Sequence, residues 1–192
     1  MFTVGELTRV VLMCGLPASG KTTTAERIHH AIGGRLIRSC DVYAALGIDL
    51  PAWVRRTRGF TRGVDAYLAE RDLAYDVMAR ELAAHLGATS GPVIVDAVHG
   101  ERAKRQRVYD VCAAHDAAAT LVWCRCDDAN EVARRFAARR GRERVPENEA
   151  SDLSVHAHIR SLWEDPWQDA SVVAGAVRLL VHETSAREVG TS

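Results

Sequence analysis

Gly15-Leu16-Pro17-Ala18-Ser19-Gly20-Lys21-Thr22 is the stretch whose reading decides the fold of this 192-residue chain. It fills the pattern Gly-x-x-x-x-Gly-Lys-Thr, the P-loop, and follows a short apolar run, Arg9–Cys14 (RVVLMC). Each fixed position has a chemical reason. The glycines let the backbone curl so that successive N–H groups face inward as an anion nest. A helix opening near Gly20 aims its positive end at the same point. Lys21 is a mobile point charge able to follow β- and γ-phosphates, and Thr22 offers a hydroxyl to Mg²⁺, a cation that prefers oxygen ligands. The expected nucleotide cradle is therefore Gly15, Leu16, Pro17, Ala18, Ser19, Gly20, Lys21, Thr22 and Thr23.

Outward from the loop, apolar runs alternate with helical patterns, which predicts an α/β architecture with a parallel sheet. Arg35–Arg38, Pro92–Asp96, Thr120–Cys124 and Val177–Val181 read as further strands. Lys21–Ile32, Glu101–His115, Ala129–Arg140 and Leu153–Trp163 read as helices. In Glu101–His115 the residues Val108, Val111 and Cys112 mark an apolar side and the arginines the opposite one. Residues 41–90 form a mostly helical insert broken at Pro51 and Gly59, expected to face the acceptor. Residues 134–152 are Arg-rich with Gly141 inside, as a lid should be, and 186–192 read as a frayed tail. One domain over 1–192 is expected.

Composition narrows the classes. Twenty-five basic and 25 acidic residues cancel, so no global field draws in nucleic acid. Lysine occurs twice only, at Lys21 and Lys104. Cys14, Cys40, Cys112, Cys124 and Cys126 show no metal-ligand spacing, and Cys14, Cys40 and Cys124 sit in or beside strand-like runs as small hydrophobes. A reducing, cytoplasmic setting without membrane association fits this pattern. No guanine-reading Asn/Thr-Lys-x-Asp segment is present, because Lys104 lies in Ala-Lys-Arg-Gln. The chain is also short for a motor ATPase. A small kinase remains, with ATP and Mg²⁺ as cofactors.

Three further segments recur in order: Ser39-Cys40-Asp41; Val93-Ile94-Val95-Asp96-Ala97 with Arg102 and Arg105; and Arg135-x-x-x-Arg139 leading to Ser151-Asp152. With Trp163-Glu164-Asp165-Pro166, they make the chain resemble the zeta-toxin, polynucleotide-kinase-like and chloramphenicol-phosphotransferase-like group of small AAA-domain-type kinases. The resemblance spans about residues 9–185. It implies a three-layer P-loop fold, a five-stranded parallel sheet of order 2-3-1-4-5, helices on both faces and a helical lid.

It also implies roles. Asp41 takes the proton of the acceptor hydroxyl, and an acid at the carboxyl end of a strand beside the P-loop strand suits that task. Asp96 ends an apolar strand as a metal-side acid does, with acceptor binding as its other reading. Lys21, Arg135 and Arg139 neutralise charge on the transferring group, the two arginines sharing a helix face at a spacing of four. His99 reads as a solvated loop residue rather than a base. No arginine follows Asp41 in Val42-Tyr43-Ala44-Ala45-Leu46, where polynucleotide kinases carry one. The acceptor expected first is thus a hydroxylated small molecule such as a metabolite, nucleoside or antibiotic. A polynucleotide 5′-hydroxyl comes second, and a nucleotide-binding regulatory ATPase is the alternative from another class.

Overall fold

Val10–Cys14 forms β1, and every one of its five residues is buried. That follows from its unbroken apolar sequence, which can cover both faces of a central strand. The structure, a computed structural model, describes residues 2–48, 64–143 and 156–184, without the side chains of 64–70 and 139–143. The other strands are β2 (Arg35–Arg38), β3 (Val93–Asp96), β4 (Ala119–Arg125) and β5 (Val177–Glu183). All pairings are parallel, in the order β2-β3-β1-β4-β5. The expected sheet and its order are both observed.

Helices α1 (Lys21–Ile32), α2 (Ser39–Ala45), α3 (Val64–Ala88), α4 (Arg102–Ala114), α5 (Ala129–Glu143) and α6 (Ala170–Val173) surround the sheet. Alternation along β1 sorts them into layers. Val11 and Met13 pack with Ala25 and Ile28 of α1. Val10, Leu12 and Cys14 pack on the other face with Ala74, Met78 and Leu82 of α3 and Val108 and Cys112 of α4. Because all strands run parallel, their carboxyl ends form one edge, and the connections leaving that edge build the site.

Three local expectations need correction. Arginines on α4 are not uniformly solvated: Arg105 is fully buried and Lys104 nearly so. Cys40 is exposed at the start of α2, whereas Cys14 and Cys124 are buried as expected. α5 continues through Gly141 to Glu143, past the expected end at Arg140. Pro51 and Gly59 of the insert, Ser151 and Asp152 of the lid, and the 186–192 tail lie outside the described residues. Among the described residues no helix is long and apolar enough to cross a membrane.

Candidate functional site

The loop after β1 is shaped by three unusual backbone positions. Ala18 (φ 62°) and Gly20 (φ 85°) are left-handed, the alternation that turns amides inward. At Gly15 a Cβ would lie 2.4 Å from Cys124 O and 2.6 Å from Ser19 Oγ, so only glycine fits. Gly20 then caps α1 at its N-terminus. Lys21 is buried, and its Nζ donates to Leu16 O at 2.9 Å across the loop. Ser19 Oγ is buried without a hydrogen-bond partner among the described residues. An inward cation, a spare buried hydroxyl and a backbone nest fit a polyphosphate.

Asp96 closes β3 one strand away and is buried. Desolvation pushes its carboxyl above the usual range, while Lys21, a hydrogen bond with Thr22 and the charge of Arg38 act against that rise. A buried carboxylate touching a threonine hydroxyl beside the phosphate cradle fits a hydrated Mg²⁺. Among the described residues no cluster of three or more His, Cys, Asp or Glu could hold a metal alone. Phosphate oxygens and water would have to complete the shell.

β2 ends in the residue pair that brings Asp41 near this edge. Arg38 is the register partner of Asp96, and its Nε donates to Asp41 Oδ2 at 2.8 Å. Its guanidinium also lies 3.6 Å from Glu26, and hydrogen bonding to Asp41 raises its pKa. Asp41 itself is exposed in the first turn of α2. Lys21, Asp96, Arg38 and Asp41 thus form an alternating line of charge across the ends of β1, β3 and β2.

Of the two expected lid arginines, Arg135 is described as far as its guanidinium, and it reaches the loop. Nη1 donates to Ala18 O at 3.1 Å and to Thr184 Oγ1 at 3.0 Å, Nη2 donates to Thr184 O, and Nε donates to Glu131 at 2.7 Å. Glu131 is held down to about 2, chiefly by hydrogen bonding from Arg134 and then Arg135. Arg139 lies on α5, but its side chain is outside the described residues.

His99 departs most from expectation. It is fully buried, with Nδ1 donating to Met13 O at 2.8 Å, and burial lowers its pKa to about 4. It is a core residue, not a solvated one.

Sequence reasoning missed Thr184, His156 and Trp163. Thr184 Oγ1 donates to Ser19 O at 2.6 Å, pinning the loop to the end of β5. The ring of His156 hydrogen-bonds Pro17 O at 3.1 Å. Trp163 stacks with Trp123 at 5.8 Å and would sit 3.0 Å from a Cβ on Gly100. A cavity of about 310 Å³ beside the loop is lined by Leu16, Pro17, Trp123, His156, Arg160 and Trp163 among others. Lone polar residues outside any motif carry no sequence signal; the Trp163-Glu164-Asp165-Pro166 run was the one hint.

Residues 10–165 match a family model described as AAA domain. The chain belongs to that family. No curated protein matches it. Among solved structures it is similar to a gluconokinase from Sinorhizobium meliloti 1021, with TM-score 0.62 and 16% identity over 95% of this chain and 87% of that one. It is similar also to Mycobacterium tuberculosis APS kinase in complex with AMPPNP and APS, with TM-score 0.57 and 18% identity over 93% and 91%. A third is Chaetomium thermophilum Kti12 in complex with ADP-AlF3, with TM-score 0.56 and 18% identity over 93% and 92%. At these identities the likeness establishes the P-loop NTPase fold.

Proposed function

We propose that this AAA-domain chain is an ATP-dependent phosphotransferase acting on a hydroxyl of a small molecule. The observation that carries the reading is the line Lys21–Asp96–Arg38–Asp41, which sets a phosphate cradle and an exposed carboxylate along one sheet edge. The backbone nest and Lys21 bind and orient the triphosphate. Arg135, already at the Ala18 carbonyl, opposes negative charge as the γ-phosphoryl group leaves. Asp41 orients the acceptor hydroxyl and takes its proton late in a loose transition state. Thr22 and Asp96 would hold Mg²⁺, which would supply charge neutralisation on the triphosphate when bound.

Arg139 is assigned with Arg135 to the lid, and the chain to the zeta-toxin and polynucleotide-kinase-like group, on the ordered motifs alone. The single-domain plan, with insert 41–90 and lid 134–152, belongs to the same reading. A small acceptor is favoured over a polynucleotide because Asp41 is followed by Val42 and Tyr43 rather than arginine. The gluconokinase and APS kinase likenesses are consistent with that choice.

The test is a panel of sugars, nucleosides, other metabolites, antibiotics and 5′-hydroxyl oligonucleotides incubated with γ-labelled ATP and Mg²⁺. Stoichiometric label on a small alcohol is the expected result. Label on the oligonucleotides alone moves the acceptor class. Hydrolysis with no labelled product replaces the kinase reading by a nucleotide-driven regulator.

A further inference from the structure

Beyond nucleotide and acceptor, one buried assembly beneath the site has no role in the chemistry above. Arg105 of α4 and Asp169 are both fully buried. Nε and Nη2 of Arg105 donate to the two Asp169 oxygens at 2.6 and 2.7 Å, and Tyr109 adds a third hydrogen bond to Asp169 at 3.0 Å. The remaining Arg105 nitrogen, Nη1, donates to His99 O at 2.9 Å. A planar fork with fixed donors can serve a carboxylate and a carbonyl together; an ammonium cannot hold that geometry.

His99 is the centre of the 97–100 turn that follows Asp96. Its φ of 44° is left-handed, a conformation that a non-glycine residue keeps only when its surroundings hold it. They do so from every side. Cys14 Sγ approaches His99 O at 3.3 Å, His99 N donates to Tyr75 at 3.3 Å, and the ring reaches Met13 O. One residue earlier, Val98 O accepts the Gly15 N–H at 3.0 Å. The turn therefore carries Asp96 at its head and fixes the first glycine of the phosphate loop.

The segment that supplies Asp169 is fastened to the same turn. Glu164 N donates to Gly100 O at 2.9 Å, the Glu164 carboxylate accepts from Arg102 N, and Trp163 packs on Gly100. That segment follows the helical stretch 156–161, whose His156 touches Pro17. Lone surface contacts would not make a device. Here a fork buried on all sides joins two segments to one strained turn.

We propose that Arg105 is a positioning residue for the phosphate loop. Held by Asp169, it fixes the His99 carbonyl and through it the turn that sets Gly15 and Asp96. The inference rests on reading Gly15–Thr22 as the nucleotide site.

The test compares the full-length wild type with Arg105→Lys and with the double variant Arg105→Met/Asp169→Leu. Replacing a buried ion pair by apolar side chains of similar size commonly preserves the fold, whereas removing one partner does not. Two readouts are taken: amide hydrogen exchange at Gly15 and calorimetric binding of MgADP. In the double variant Gly15 exchange should quicken at least tenfold, while the amide of Leu121 in β4 stays within twofold. MgADP affinity should fall at least tenfold, with Arg105→Lys showing the same changes to a smaller degree. Gly15 exchange within twofold of wild type in either folded variant overturns the inference. So does unchanged MgADP affinity despite faster exchange. If the wild type itself fails to bind MgADP, the nucleotide reading falls, and Gly15 exchange alone decides whether Arg105 positions the loop.

Discussion

Arg38 donates from Nε to the Asp41 carboxylate over 2.8 Å, and the same arginine is the strand partner of buried Asp96. The carboxylate proposed to take the acceptor's proton is thus held by a cation whose charge also acts on Asp96. Asparagine keeps the shape of Asp41 and one hydrogen-bonding oxygen but cannot take a proton. Asp41→Asn should therefore lower kcat by roughly 10²–10⁴-fold on the true acceptor. MgADP affinity should stay within twofold, measured by calorimetry beside the rate assay.

Lys21 is buried against its own loop, so its removal deletes the cation held inside the backbone nest. Lys21→Ala should weaken MgATP binding by at least tenfold, a loss of about 1.4 kcal/mol or more. The circular dichroism spectrum should stay native. Unchanged affinity would move the phosphates away from this loop.

A methyl group at Gly15 meets Cys124 O at 2.4 Å, and that oxygen belongs to β4 backbone and cannot swing aside. Gly15→Ala should lower stability by about 2 kcal/mol or more, read as a reduced denaturation midpoint at unchanged slope. Nucleotide binding should be lost in the same variant.

Thr184 joins Ser19 O, Arg135 and the end of β4 through one hydroxyl and one amide. Thr184→Val keeps the volume and removes the hydroxyl, leaving Ser19 O short of a donor. Stability should drop by about 1 kcal/mol, and the melting temperature by a few degrees. MgADP should bind several-fold more weakly.

His99 gives the protein a titration of its own. Burial lowers its pKa from 6.5 to about 4, so the folded state resists a proton that the unfolded chain accepts. Between those values the unfolded state binds more protons, and the contribution to stability is complete above pH 6.5 and lost as pH falls through 4. The full loss is about 3 kcal/mol, since each pH unit separating the folded and unfolded values is worth about 1.4 kcal/mol. Urea unfolding at pH 7 and pH 4.5 should show most of it in wild type and not in His99→Asn, whatever that substitution does to stability at neutral pH.

What can be read from the chain alone is the part written in periodicity and motif. β1, the glycine loop, α1 and all five strands are legible because continuous apolar runs and a fixed glycine spacing are local signals. Asp96 is legible as a strand-end acid; Asp41 departs from that expectation, because β2 ends at Arg38, pairs with β3 rather than with β1, and leaves Asp41 in the first turn of α2. His99, Arg105 and Thr184 are not legible, because their positions depend on partners far along the chain. Arg105 reads as one arginine on a charged helix face until Asp169, 64 residues away, takes up its guanidinium. Cys40 departs in the opposite sense: it follows an apolar strand, yet the chain turns into α2 there and leaves it in water.

The pin between Ser19 and Thr184 bridges 165 residues. Because synthesis runs from the amino terminus, the phosphate loop leaves the ribosome long before the strand that secures it. A nascent chain thus carries the glycine motif for most of its synthesis without that pin. Closure of that contact waits until Thr184, at the end of β5, has been made and has docked.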